Sequence, residues 1–123
     1  MLDLLRAKLK INRLARNWRF WCDSIAKAAV AILGPCETYV FGSAAKGHLT
    51  GGSDVDILIV AEKLPNDFKL RGNLKAEIER VAKLPLYHPF EIHLVTRREA
   101  ETNPIYRKAM KEGIALTTKK ETL

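Results

Sequence analysis

From Asp54 the chain reads Asp-Val-Asp-Ile-Leu-Ile-Val-Ala61, two carboxylates followed by five apolar residues in a row. Its wealth of β-branched side chains marks a strand. Residues of a strand alternate between two faces, so an apolar run with no polar member needs cover on both sides. This strand therefore belongs in the interior of a sheet, with other layers packed against it. The same alternation puts Asp54 and Asp56 on one face, about 6–7 Å apart along the backbone, with Val55 pointing the other way. Two carboxylates so placed repel each other unless a cation lies between them, and hard cations such as Mg²⁺ prefer oxygen ligands of this kind.

The rest of the chain supplies the layers. Ile11, Leu14, Trp18, Trp21, Ile25, Ala28 and Ile32 recur at steps of three and four, which predicts one long amphipathic helix within residues 1–34. Arg6, Arg13, Arg16 and Arg19 fall mainly off that stripe, and Gly34-Pro35 ends the helix. Glu37-Thr-Tyr-Val-Phe41 reads as a short strand running into Gly42-Ser43, and a glycine-rich stretch from Gly47 to Gly52 follows. Leu70, Leu74, Ile78 and Val81 mark a second helix, interrupted or kinked near Gly72. Pro85 and Pro89 bound a loop before the strand Phe90-Glu-Ile-His-Leu-Val95, in which Phe90, Ile92 and Leu94 face the core. Thr96-Arg-Arg-Glu99 has capping-box spacing, and Asn103-Pro104 opens a helix that runs to about 112 before Gly113. Ile114–Thr117 predicts a last short strand, and residues 119–123 a frayed end. Helices alternating with strands make the fold class α/β.

At 123 residues, 47% of them apolar, the chain has room for one domain with its own core. No apolar run nears the roughly 20 residues that cross a bilayer. The opening MLDLLRAKLKINRLAR intersperses charges among apolar residues rather than presenting a secretory signal, so the expected compartment is the cytosol, with no membrane partner. Cys22 and Cys36 lack CxxC spacing and neighbouring histidines, which predicts buried free thiols rather than a zinc site or a disulfide. The complete absence of glutamine leans towards a heat-adapted source. Basic residues outnumber acidic ones 21 to 14, and the surplus is local. Residues 1–34 hold seven basic against two acidic, 35–95 seven against eight, and 96–123 seven against four. The first segment thus either steers the chain towards an anionic or acidic partner or keeps it in solution.

Chemistry concentrates between the first two strands, in Phe41-Gly-Ser-Ala-Ala-Lys-Gly-His-Leu-Thr-Gly-Gly-Ser-Asp-Val-Asp56. Gly42 lets backbone approach a ligand, and the N–H groups of a strand-to-helix turn, extended by the Ser43 hydroxyl, form an anion site. A phosphate held there beside two metal-binding aspartates describes a nucleoside triphosphate site. Lys46 either reaches the same phosphates or stays solvated. The candidate nucleotide-binding residues are Gly42, Ser43, Lys46 and Ser53. Gly-Ser, ten residues and Asp-x-Asp arise together by chance in a chain of this length with a probability on the order of 10⁻³.

This pattern at Gly42, Ser43, Asp54 and Asp56 resembles the signature of the minimal nucleotidyltransferases of the DNA polymerase β superfamily. The resemblance spans about residues 35–118 and implies a small mixed β-sheet flanked by helices, preceded here by the helix in residues 1–34. It also implies ATP or another NTP as substrate, two Mg²⁺ ions, Asp54 and Asp56 as metal ligands, and a third carboxylate on a later strand that activates the attacking hydroxyl. Glu91 fills that place, because the core-facing set Phe90, Ile92 and Leu94 leaves it on the metal face; many members carry aspartate there. His93 shares the face of Glu91 and is expected to make local hydrogen bonds, while His48 is expected in solvent.

The chemistry implied is attack of an acceptor hydroxyl on the α-phosphorus, with pyrophosphate leaving. Single-domain members are often encoded as antitoxins beside a HEPN-domain ribonuclease toxin, which they bind and adenylylate on a tyrosine. The resemblance therefore implies a protein acceptor, with the N-terminal helix as a docking surface. Two alternatives are a non-catalytic antitoxin that neutralises by contact, and a nucleotidyltransferase acting on RNA whose basic helix tracks phosphates. No stacking aromatics accompany the central site, which weighs against RNA. The two-tryptophan helix is also compatible with a homodimer.

Overall fold

The computed structural model describes residues 2–49 and 54–116. Helices α1 (Leu2–Arg16) and α2 (Trp18–Leu33) come first, then strand β1 (Cys36–Phe41) and strand β2 (Val55–Ala61). Helix α3 (Phe68–Val81) leads to strand β3 (Phe90–Thr96), and α4 (Arg97–Thr102), α5 (Pro104–Glu112) and the short β4 (Ile114–Leu116) complete the order.

Two helical expectations need correction. The single long N-terminal helix is two helices, broken at Asn17, whose φ of −98° and ψ of 32° leave the helical basin. Asparagine favours such a break because its side chain competes for backbone hydrogen bonds. The Asn17 N–H still bonds to the carbonyls of Arg13 and Leu14, each at 3.1 Å. Burial is heaviest downstream of the break: Trp18, Cys22, Ile25, Ala28 and Ala29 lie in the core, joined from α1 by Ala15, whereas Leu4, Leu5 and Leu9 of α1 are about half exposed or more. Conversely, α3 runs through Gly72 without interruption. Its start is held by the Asp67 carboxylate, which accepts the N–H groups of Lys69 and Leu70, and its last turn by fully buried Ile78. One exposed glycine costs a helix only about 1 kcal/mol, less than burying an isoleucine contributes.

The remaining local signals appear as predicted. Gly34 takes a φ of 81° and donates its N–H to the Val30 carbonyl, closing α2. The Thr96 hydroxyl accepts the Glu99 N–H while the Glu99 carboxylate accepts the Thr96 N–H, a complete capping box at the head of α4. Asn103 caps α5 with Pro104 in its first turn, and Gly113 follows it. Cys22 and Cys36 are both free, but Cys36 is only half-buried where the sequence predicts two buried thiols; burial pushes their pKa values up to about 12 and about 11. The last strand is described as far as Leu116; Thr117 and the tail lie outside the described residues.

The sheet has the order β3-β2-β1-β4. β1 pairs antiparallel with β2 and β4, and β2 pairs parallel with β3 through the α3 crossover, so the sheet is mixed. β2 is interior, as its two-sided apolar run requires. One face joins Val55, Ile57 and Ile59 of β2, Val40 of β1 and Phe90, Ile92 and Leu94 of β3 to Ile25 of α2 and Ile78 of α3. The other joins Leu58, Val60 and Val95 to Ala100 of α4 and Ala109 of α5. Among the described residues β3 forms an edge of the sheet. Lys75 of α3 reaches over it to bond the Ile92 carbonyl at 3.3 Å, and Arg71 pairs with Glu99 at 2.7 Å, linking α3 to α4.

Candidate active site

Strand alternation sorts the acids. With Val55, Ile57 and Ile59 committed to the α2–α3 face, Asp56 must emerge on the face of Leu58 and Val60; with Phe90, Ile92 and Leu94 likewise committed, so must Glu91 and His93. The parallel register sets Asp56 directly beside Glu91 and Leu58 beside His93. Where α4 and α5 cover this face it is apolar. Asp56 is only half-buried and Glu91 is exposed, so the carboxylates meet water at one end of the same surface.

Asp56, Glu91 and His93 each bring a ligand atom within 4.8 Å of the others. His93 Nε2 stands 3.5 Å from Asp56 Oδ1, and His93 Nδ1 stands 3.1 Å from Tyr106 Oη. The imidazole lies between the rings of Phe41 and Tyr106, with centroids 5.3 Å and 5.6 Å away. Burial, and then the negative charges of Glu91 and Glu99, hold the Tyr106 hydroxyl above its ordinary pKa, so it stays protonated.

The glycine of the motif is tied to this group by contact. Phe41 pairs with Asp56, which puts Gly42 at the carboxylate. Its φ is +79°, and a Cβ there would lie 2.7 Å from Asp56 Oδ2. Any other residue here would strain this backbone and push the carboxylate aside. Ser43 is exposed and opens a tight turn, in which its carbonyl accepts the N–H groups of Lys46 at 3.2 Å and His48 at 2.9 Å. Lys46 is exposed and lines a cleft of about 280 Å³ together with Gly42 and, from α5, Lys108. His48 is exposed, as expected.

The other predicted residues sit further out. Asp54 is exposed, one position before β2, and is not in the three-residue ligand group. Ser53 lies outside the described residues. Sequence reasoning did not assign Tyr106 or Lys108 to the site, and no local pattern marks them: both arrive on α5, far along the chain. For His93 the period-two spacing from Glu91 was the available signal. Beyond Glu91, a larger cleft of about 980 Å³ follows the β3 edge, lined by Phe68, Arg71 and Lys75 of α3 and by His93 and Tyr106. Two carboxylates and an imidazole suit a divalent cation, and both carboxylates reach water from which an ion can enter.

Similar proteins agree with this architecture. A presumed nucleotidyltransferase from Sulfolobus solfataricus superposes with a TM-score of 0.55 at 16% identity, covering 95% of this chain and 88% of its own. A second presumed nucleotidyltransferase superposes with a TM-score of 0.56 at 24% identity, covering 76% of this chain and 94% of its own. No curated protein matches the sequence. No helix among the described residues is long and apolar enough to cross a membrane. The polymerase β nucleotidyltransferase family matches residues 34–122, a span that holds the Gly-Ser turn, the aspartate pair and Glu91, and the chain belongs to that family.

Proposed function

We propose that this protein transfers a nucleoside monophosphate, AMP from ATP, to a hydroxyl of a partner protein. The observation that carries the reading is the convergence of Gly42, Asp56 and Glu91 from three neighbouring strands onto one wet patch of the sheet. Asp56 and Glu91 would hold a divalent cation, with the exposed Asp54 just before β2 adding a further carboxylate. Mg²⁺ is the expected ion, in two copies. When bound, the cation lowers the pKa of the attacking hydroxyl and offsets charge on the polyphosphate.

The chain's own groups do the rest. The turn that begins at Ser43 and the Lys46 ammonium would hold the terminal phosphates, joined by Lys108 of α5, which lines the same small cleft as Lys46. Glu91 takes the proton of the acceptor hydroxyl as the new O–P bond forms; the α–β bridging P–O bond breaks and pyrophosphate leaves. The acceptor is proposed to be a HEPN-type ribonuclease toxin modified on tyrosine, which makes this chain an antitoxin. The exposed leucines Leu4, Leu5 and Leu9 and the basic side chains of α1 support a partner surface there.

Incubation of the purified chain with the partner, ATP and Mg²⁺, followed by intact-mass measurement, should show AMP added to the partner. The Asp54→Asn, Asp56→Asn double variant should lose transfer by at least about a hundredfold, the scale of removing a major transition-state stabiliser. Transfer by that variant at the parent rate would refute the assignment.

A further inference from the structure

We infer that His93 is a ligand of the cation held by Asp56 and Glu91, and that its imidazole makes this site bind Mn²⁺ more tightly than Mg²⁺. The inference rests on the cation reading given above and adds a nitrogen to what sequence presents as an all-carboxylate set.

Three observations converge. The first is spacing. Metal–ligand bonds of about 2.0–2.2 Å place neighbouring donor atoms of one ion about 3 Å apart and opposite ones about 4 Å apart. The three donors here lie within 4.8 Å of one another, so small side-chain rotations close them on a single ion. The 3.5 Å from His93 Nε2 to Asp56 Oδ1 is long for a hydrogen bond and suits two ligands of one ion.

The second is the far side of the ring. A metal-binding histidine nearly always has its other nitrogen occupied, which sets the tautomer and the ring plane. His93 Nδ1 meets Tyr106 Oη at 3.1 Å. With Nδ1–H donating to that oxygen, Nε2 carries a bare lone pair aimed towards Asp56. Phe41 and Tyr106 flank the ring and hold the orientation.

The third is donor chemistry. Mg²⁺ favours oxygen ligands and keeps its waters, whereas imidazole nitrogen suits first-row transition ions. A site of two carboxylates and one imidazole therefore gains more from Mn²⁺ than from Mg²⁺. Mg²⁺ can still occupy it at the higher concentrations at which it is supplied.

The test reads metal binding directly, on the full chain, stripped of metal and without nucleotide. Free Mn²⁺ is followed by its electron paramagnetic resonance signal, and Mg²⁺ by competition. The parent should bind Mn²⁺ at least tenfold more tightly than Mg²⁺. His93→Ala should weaken Mn²⁺ by at least tenfold while changing Mg²⁺ less than twofold, and Tyr106→Phe should weaken Mn²⁺ severalfold. Spin-echo modulation from imidazole nitrogen should be present on Mn²⁺ bound to the parent, a readout that needs no variant to fold. Absence of that modulation, or equal Mn²⁺ affinity with and without His93, overturns the inference. If Asp56→Asn abolishes binding while His93→Ala does not, the cation reading survives and the histidine ligand is refuted. If the parent binds neither ion, both fall together.

Discussion

Replacing Gly42 with alanine should separate two costs that this position combines. The first is backbone conformation: with φ at +79°, an L-residue is disfavoured by about 1–2 kcal/mol. For a chain of this length each kcal/mol lowers the unfolding midpoint by roughly 3–6 °C, so the midpoint should fall by about 5–10 °C. The second cost is local. The new methyl would stand 2.7 Å from Asp56 Oδ2, well inside the 3.5–4.0 Å of ordinary contacts, so the carboxylate must move by about 0.8 Å or more. That atom ends a flexible side chain, so its displacement adds little to the stability cost. It does remove the carboxylate from its neighbours at Glu91 and His93, and errors of about 1 Å in such sites cost up to about a hundredfold. Gly34→Ala is the matched control, because Gly34 has a φ of +81° and a methyl added there would meet nothing within 4 Å. Thermal unfolding by circular dichroism should give similar losses for both variants, while calorimetric titration with Mn²⁺ should show weakened binding only for Gly42→Ala. If both variants bind the ion equally well, the proposed contact between the glycine and the carboxylate does not shape the site.

Four further substitutions test the frame around the site. Thr96→Ala removes the hydroxyl half of the α4 capping box and should cost about 1 kcal/mol in urea unfolding. The Arg71 guanidinium, and then the Thr96 N–H, hold the Glu99 carboxyl below its ordinary range. Its stabilisation is therefore present above the unfolded-state pKa and is lost as pH falls through the lowered folded-state value; Glu99→Gln should flatten the decline in urea midpoint between about pH 6 and pH 3. Ile57→Ala, in the fully buried middle of β2, should cost about 2–5 kcal/mol, whereas Leu5→Ala on the exposed side of α1 should stay within about 0.5 kcal/mol. A large loss from Leu5→Ala in the isolated chain would show that α1 is packed rather than presented.

Legibility in the sequence tracked how local each cause was. The β2 run announced an interior strand because its burial requirement is written residue by residue, and the Thr96 capping box and the Asn103-Pro104 start are complete within four positions. Gly42 and Asp56 were legible as a pair, though their contact depends on the antiparallel register of β1 and β2. Helix continuity was misjudged at Asn17 and at Gly72 because side-chain competition and tertiary burial decide it there, and spacing shows neither. Glu91 could be placed beside the metal face from the three apolar residues that interleave it. The pairing of His93 with Tyr106 could not be read, since it arises only when α5 folds back over the sheet.

The register of the parallel pair carries a last consequence. Asp56 and Glu91 are neighbours in space but thirty-five positions apart in the chain, and the unfolded polypeptide has no reason to hold them together. A cation shared between them, as proposed, would be a removable cross-link across β2 and β3, recognising the finished sheet and not the open chain. Its binding free energy adds directly to folding stability, by about 2.7 kcal/mol when the free ion is at a hundred times its dissociation constant. The ion proposed to equip the site for chemistry would thereby also lock the strands on which the site is built.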